Sequence, residues 1–366
     1  MTTTNPAAPA APLAPPDLAR IAKTVATKLP FRGDVTGLTP LAGDASNRRY
    51  FRVALKGKPS ALILMQLADP EGFKKSEEAV SGASVQIAEL PFTNVLAHLQ
   101  RTGVTVPQLH YYDREAGLLY LEDFGDLTLA EACRDADRAR LVSLYRQAID
   151  QLVLLQVKGT QPPAPGCIAF HRGFDVPLLM WEFDHFLEYG IVARLGQPMK
   201  PADDKAVRAE FQRIAELLAG QPQVFVHRDY HSRNLMVDGA RLGIIDFQDA
   251  LMGPATYDLA SLLKDAYIEL DDAVVDGLVD HFLDGLAAQG QGWADRAAFR
   301  RLFDFTSIQR NLKAAGRFVY IDRVKHNPKF LADIPRVLGY VKRNLSKYPE
   351  LATLRQHLAP YVSELQ

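Results

Sequence analysis

Cysteine is nearly absent: the 366 residues hold two, Cys133 and Cys167. Neither lies in a C-x-x-C spacing. This excludes a disulfide framework or a cysteine zinc site and makes a reducing compartment, the cytoplasm, the expectation. An excess of one charge is missing too. The 42 Lys and Arg offset 43 Asp and Glu, for a net −1, so nothing marks the chain for nucleic acid or an anionic membrane. No apolar run approaches the roughly 20 residues of a membrane helix. No G-x-x-x-x-G-K-[ST] occurs, which excludes a P-loop, and no G-x-G-x-x-G precedes Tyr50. The N-terminal stretch has neither the basic start nor the apolar centre of a signal peptide. Its Pro/Ala-rich composition reads as a disordered tail over 1–16.

What the chain does have is concentrated in VFVHRDYHSRNLMVDGARLGIIDFQD, residues 224–249. His227, Arg228, Asp229 and Asn234 stand in the order H-R-D-x-x-x-x-N, and Asp246 closes the apolar run that begins at Leu242. Asp238-Gly239 lies between two short apolar runs and signals a hairpin. Such a hairpin brings Asn234 and Asp246 together at its open end. Phosphoryl transfer needs charge neutralised and groups positioned more than it needs covalent chemistry from the protein. Asp229 is the candidate base for an acceptor hydroxyl, being ionised near neutral pH with an ordinary pKa of about 3.9. Asn234 and Asp246 offer the oxygen donors that Mg²⁺ prefers, and ATP is the implied donor. A lone H-R-D with a downstream Asn is a weak signal; with the hairpin and the closing aspartate it points to a kinase. His227 and Arg228 read as supports of the loop.

Around this stretch the chain divides by pattern. A helix is expected from Asp17, strands over 38–41, 50–55 and 60–67, a helix over 91–101, then strands over 108–112 and 118–122. Beyond Gly125 helical spacing dominates, with helices expected over 141–155, 175–194, 203–219, 257–268, 272–288, 296–315 and 329–345. This predicts an α+β, bilobal, protein-kinase-like fold: a small β-rich N-terminal nucleotide-binding lobe with one main helix, residues 17–124, and a larger, mostly helical catalytic and substrate-binding lobe, residues 125–366, with ATP in the cleft. The turn before Tyr50 carries Ser46, Asn47, Arg48 and Arg49, whose donors and charge suit phosphate oxygens; a plain polar turn is the alternative. Glu122 and Phe124 flank the position where backbone groups would meet an adenine edge.

These stretches resemble the aminoglycoside phosphotransferase and choline kinase family, which shares the kinase fold. The matching segments are HRDYHSRNLM and IIDFQDALMGPATYDLASLL. Within it, GDASNRRYFRV, LEDFGDLTL, DFQDA and QRNLK are similar to the bacterial cell-wall sugar kinases acting on the anomeric hydroxyl of N-acetylmuramate and N-acetylglucosamine. By residue match the resemblance implies Asp229 as base, Asn234 and Asp246 as Mg²⁺ ligands, and a mainly structural Asp258. It also implies a sugar 1-phosphate product, a role in peptidoglycan recycling and a functional link to a sugar-1-phosphate nucleotidyltransferase. Candidate sugar contacts are His231, Arg233, Asp249, Gln309, Arg310 and Lys313; for the last three a solvated helix face is the alternative. Two departures stand out. The third strand, Ala61 to Gln66, has no lysine, so either Arg48, Arg49 or Arg52 supplies charge to the phosphates or nucleotide affinity is weak, and residues 72–84 match nothing. Kinases for an aminoglycoside, choline or homoserine, and a nucleotide-binding scaffold without turnover, remain as other readings.

Overall fold

A computed structural model describes residues 14–41, 48–67 and 89–366. The tail up to residue 13, Ser46, Asn47 and the 72–84 stretch lie outside the described residues. The described residues form two compact units, one lying within 1–73 and 107–123 and the other within 74–106 and 124–366.

In the first unit α1 (Leu18–Thr27) lies on a five-stranded antiparallel sheet of β1 (Asp34–Leu41), β2 (Arg48–Lys56), β3 (Ala61–Leu67), β4 (Leu109–Asp113) and β5 (Leu118–Leu121). The strand order is β1-β2-β3-β5-β4. Period-two alternation puts Phe51, Val53 and Leu55 of β2 on one face, with Leu62 and Leu64 of β3 beside them, and Ile21 and Val25 of α1 complete that core. Asp17 caps the helix by accepting from the Ala19 N–H. Arg20 then clasps Asp113 with two hydrogen bonds of 2.7 and 2.9 Å, pinning α1 to the end of β4.

The second unit is mostly helical. It takes in α2 (Pro91–Thr102) although that helix precedes β4 in the chain. Phe92 packs on Phe247 at 5.0 Å between ring centroids. Asn94 donates to the Gly166 carbonyl and accepts from the Ile168 N–H. Then follow α3 (Leu129–Arg134), α4 (Arg138–Thr160), α5 (Val176–His185), α6 (Pro201–Ala219), α7 (Thr256–Leu263), α8 (Asp272–Ala288), α9 (Arg296–Lys325), α10 (Ile334–Lys347) and α11 (Ala352–Leu358). Helices α5, α6, α9, α10 and α11 share one apolar core, and α4 packs on α8.

Several boundaries differ from expectation for physical reasons. Helix α9 runs ten residues past 315, to Lys325, because Phe318, Val319 and Ile321 continue its buried face beyond the charged Lys313 and Arg317. The helix expected over 257–268 stops at Leu263, since the Asp265 carboxylate takes the Tyr267 and Ser232 N–H groups instead. From Phe186 to Ala193 the helix begun by α5 widens to π-helical pairing. Two short strands went unread, β6 (Gln223–Val226) and β9 (Leu251–Pro254); they pair antiparallel, Val226 opposite Leu251. Four residues are too few to show a period. The hairpin expected around Asp238-Gly239 is β7 (Leu235–Asp238) and β8 (Arg241–Ile244).

Gly316 of α9 sits where that helix crosses the π-helical segment. A Cβ there would lie 2.7 Å from Phe186 Cα and 3.1 Å from the His185 carbonyl oxygen. Gly316→Ala should therefore destabilise by about 1–3 kcal/mol, the range for overpacked sites, despite alanine's better helix propensity. Urea unfolding should show a lower midpoint at unchanged m-value; an unchanged midpoint would mean the crossing yields.

Candidate active site

Two ladders frame the chemistry. Strand β6 ends at Val226 and releases the loop 227–234, which re-enters the hairpin at Leu235; β8 ends at Ile244 and releases 245–250, which re-enters at β9. The Ile245 N–H donates to the Asn234 carbonyl at 3.1 Å, so the two loops leave the hairpin side by side. Arg228 and Asp246 both adopt left-handed backbone, with φ of +80° and +64°, a conformation non-glycine residues hold only when their surroundings enforce it.

For Arg228 the enforcement is visible. The buried Asp258 carboxylate accepts the His227 N–H at 2.7 Å and the Arg228 N–H at 3.0 Å. The His227 ring bridges the loops: Nε2 lies 2.8 Å from the Ile245 carbonyl and Nδ1 accepts from the Asp229 N–H at 3.3 Å. Those partners require a neutral ring protonated on Nε2, and burial lowers the His227 pKa accordingly. Tyr230 ties the loop to α4 by donating to the Ala148 carbonyl at 2.8 Å.

The Asp229 main chain is organised as well. Its carbonyl accepts from the His231 N–H and from Asn234 Nδ2, each at 2.9 Å. That commits the Asn234 amide nitrogen and turns its oxygen away from the same carbonyl. Burial opposes ionisation of the Asp229 carboxyl, but Lys313, His231, Arg228 and Arg310 outweigh it and hold it well below the usual carboxylate range. Across the loop pair, Gln248 donates through Nε2 to both Asp246 and Asp249, at 3.0 Å each. Asn234 and Asp246 thus present an amide oxygen and a carboxylate from adjoining loops. A protein site of one or two such oxygen donors is what Mg²⁺ takes when phosphates complete its shell.

Behind the loop lies a charge cluster. Glu182 of α5 is fully buried. It accepts from Arg228 Nη2 at 3.1 Å and from Gln309 Nε2 at 2.8 Å, and pairs with Lys313 Nζ at 2.9 Å. Burial alone would raise its pKa; Lys313 and Arg228 reverse that and keep it ionised. Arg310 donates through Nε to the Ser261 hydroxyl. Gln309, Arg310 and Lys313 therefore point inward, and the solvated-face alternative for them fails. Gln309 is fully buried and spends its amide on Glu182, whereas Lys313 keeps 20 % of its side chain exposed. Arg233 stacks 3.6 Å above the Tyr267 ring, and the His231 ring meets the same tyrosine edge-on at 5.3 Å. These six candidates thus occupy one unit around Asp229, Asp246 and Tyr267, with Gln309 in a supporting position. Sequence reading passed over Glu182 and Gln248. A lone acid inside the apolar run VPLLMWEF was the available signal, since such a group needs a partner.

Of the nucleotide candidates, Phe124 is buried, with its ring against Gly243 of β8, where a Cβ would lie 2.4 Å from the ring. Its side chain is a packing element. In the first unit Arg52 is held bidentate by Asp123, at 2.6 and 3.1 Å, and Arg49 lies over the Phe51 ring. Glu122 accepts from the Gln108 N–H at 3.2 Å, and Arg48 is buried on β2.

A family model described as "Phosphotransferase enzyme family" matches residues 37–299. The chain belongs to that phosphotransferase family. This phosphotransferase is 34% identical over 327 residues to an N-acetylmuramate/N-acetylglucosamine kinase of Pseudomonas putida, covering 88% of the chain and 87% of the relative. It is 31% identical to the protein of that name from Neisseria meningitidis, covering 89% and 91%. Its fold is that of a choline/ethanolamine kinase family protein from Mesorhizobium loti, with a TM-score of 0.57 at 18% identity over 94% of the chain and 99% of that structure. An ADP-bound aminoglycoside phosphotransferase gives a TM-score of 0.56 at 11% identity, over 88% and 97%. The kinase-like α+β fold expected from sequence is therefore the fold of the phosphotransferase.

Burial pushes the Asp258 carboxyl up to about 7, against its two backbone donors. Between roughly pH 4 and 7 the folded chain then keeps a proton that the unfolded chain has lost, so this group's contribution to stability falls as pH rises through that window. Asp258→Asn should flatten that part of the profile. It should also cost about 1–3 kcal/mol throughout, because an amide presents only one acceptor to two N–H groups. Urea titrations at several pH values read both effects.

Proposed function

We propose that this phosphotransferase moves the γ-phosphate of ATP to the anomeric (C1) hydroxyl of N-acetylmuramate, N-acetylglucosamine or both. The observation that carries the reading is Asp229. It is an ionised carboxylate on a loop whose main chain is held by hydrogen bonds, next to the loop that carries Asp246. The names of the relatives supply the substrate.

Asp229 orients the C1 hydroxyl and accepts its proton as the new O–P bond forms and the bond from the γ-phosphorus to the bridging oxygen of ADP breaks. Its depressed pKa makes it a weak base, which suits an anomeric hydroxyl more acidic than an ordinary alcohol. Asn234 and Asp246 would hold the magnesium ion, which when bound neutralises phosphate charge. Arg228, Arg310 and Lys313 set three cations against Asp229 and Glu182 in this cluster. The balance suits a neutral or anionic acceptor better than a cationic aminoglycoside or choline. His231, Arg233, Asp249 and Lys313 are the proposed sugar-side contacts; Ser46, Asn47, Arg48, Arg49 and the Glu122–Phe124 segment are the proposed nucleotide-side ones. The sugar 1-phosphate would pass to a nucleotidyltransferase. Two buried free cysteines fit a reducing cytoplasm, and among the described residues no helix is long and apolar enough to cross a membrane.

ATP consumption with N-acetylmuramate, N-acetylglucosamine, choline, homoserine and kanamycin tests the reading. The two sugars should turn over, with phosphorus–carbon coupling at C1 of the product. Turnover only with kanamycin or choline would overturn it. Asp229→Asn should lower kcat about 10²- to 10⁴-fold while calorimetry shows nucleotide affinity unchanged. Asp246→Ala should instead abolish the Mg²⁺ dependence of nucleotide binding.

A further inference from the structure

One face of the second unit carries aromatic rings that the mechanism above leaves unused. Trp181, His185 and Tyr189 follow one another at four-residue spacing along α5 and its π-helical extension, and Tyr320 of α9 faces them. His185 is the centre of the group. Its ring stacks on Trp181 at 5.8 Å, meets Tyr189 at 4.7 Å and Tyr320 at 5.4 Å, and Tyr189 meets Tyr320 edge-on at 5.0 Å. All four rings are half-buried. They keep surface open where core aromatics such as Phe183 and Phe186 have none. His185 Nε2 is buried without a hydrogen-bond partner.

Lys313 links this face to the candidate site, its charge acting on His185 as well as on Asp229. Trp181 precedes Glu182, which binds Lys313, and Lys313 is the cation with the largest influence on Asp229. One turn further along α9 stands Arg317, its guanidinium 4.9 Å over the Tyr320 ring and without an ion-pair partner among the described residues. Burial, with Arg317 and Lys313 nearby, lowers the His185 pKa to about 4, so the ring stays neutral. Rings with half-exposed faces, one neutral imidazole and two cations a turn apart match an amphipathic, uncharged-to-anionic ligand. A pyranose offers apolar C–H faces to rings, and a carboxylate side arm suits guanidinium.

We propose that this aromatic face is the sugar-ring platform of the acceptor site, and that Arg317 is the residue that selects for a sugar carrying a carboxylate. The inference rests on the sugar-kinase reading. It goes further in predicting which of the two sugars each side chain serves. Trp181 and the two tyrosines hold the ring common to both, while Arg317 meets the lactyl carboxylate that only N-acetylmuramate has.

Kinetics with both sugars separate the roles. Arg317→Gln should raise KM for N-acetylmuramate at least tenfold more than KM for N-acetylglucosamine, with KM for ATP unmoved. An equal rise for both sugars, or none, overturns the assignment of Arg317. Trp181→Ala should raise KM for both sugars about tenfold, and Trp181→Phe, which keeps a ring and guards against misfolding, should restore most of the loss. The chain has two tryptophans, so in Trp293→Phe the emission reports Trp181 alone. Either sugar, without ATP, should change that emission saturably. Turnover with no emission change sinks the platform and leaves the kinase reading standing. A saturable change with no turnover of either sugar keeps the platform and sinks the kinase reading.

Discussion

The second unit is organised around one carboxylate that never meets water. Glu182 lies on α5 with no exposed surface, and an uncompensated charge there would cost several kcal/mol. The compensation comes from the 227–234 loop through Arg228 and from α9 through Gln309 and Lys313. Three parts of the chain, separated by tens of residues, must arrive together for the charge to be tolerated. The loop arginine is thus fixed by an acid that is present whenever the chain is folded. Lys313, anchored on the same acid, stays beside Asp229 and keeps it ionised.

The loops around Asp229 also store strain. Two non-glycine residues in left-handed backbone, Arg228 and Asp246, cost on the order of 1–3 kcal/mol each. The hydrogen bonds that offset this are local and directional: Asp258 to the Arg228 turn, His227 across to Ile245, Gln248 under Asp246. The result is a loop pair whose backbone is set before any ligand is present; if Asp229, Asn234 and Asp246 act as proposed, that lowers the reorganisation needed at the transition state.

Much of this was legible in the chain. The order H-R-D-x-x-x-x-N, the Asp-Gly turn and the closing Asp246 give the β7–β8 hairpin and the two loops at its open end because their information is local, within 20 residues. The amphipathic helices were legible for the same reason. What escaped was non-local. Nothing near Glu182 names Arg228 or Lys313 as its partners, 46 residues away in the first case. The β6–β9 ladder joins segments too short to carry a period. Gln309 and Arg310 read as ambiguous because α9 is buried on most of its circumference, and a helix buried all round shows no polar face to orient it.

The π-helical stretch after α5 sets a constraint of phase. Wider turns between Phe186 and Ala193 hold a different number of residues than α-helical ones would, and each residue in an α-helix advances the direction by about 100°. Losing one residue here would let the segment relax to α-helical pairing through about the same total rotation, so the helix beyond it would keep its phase while side chains inside the stretch, Tyr189 among them, changed direction. The extra residue is therefore absorbed locally, and a one-residue deletion would be felt around Tyr189 rather than along the rest of the helix.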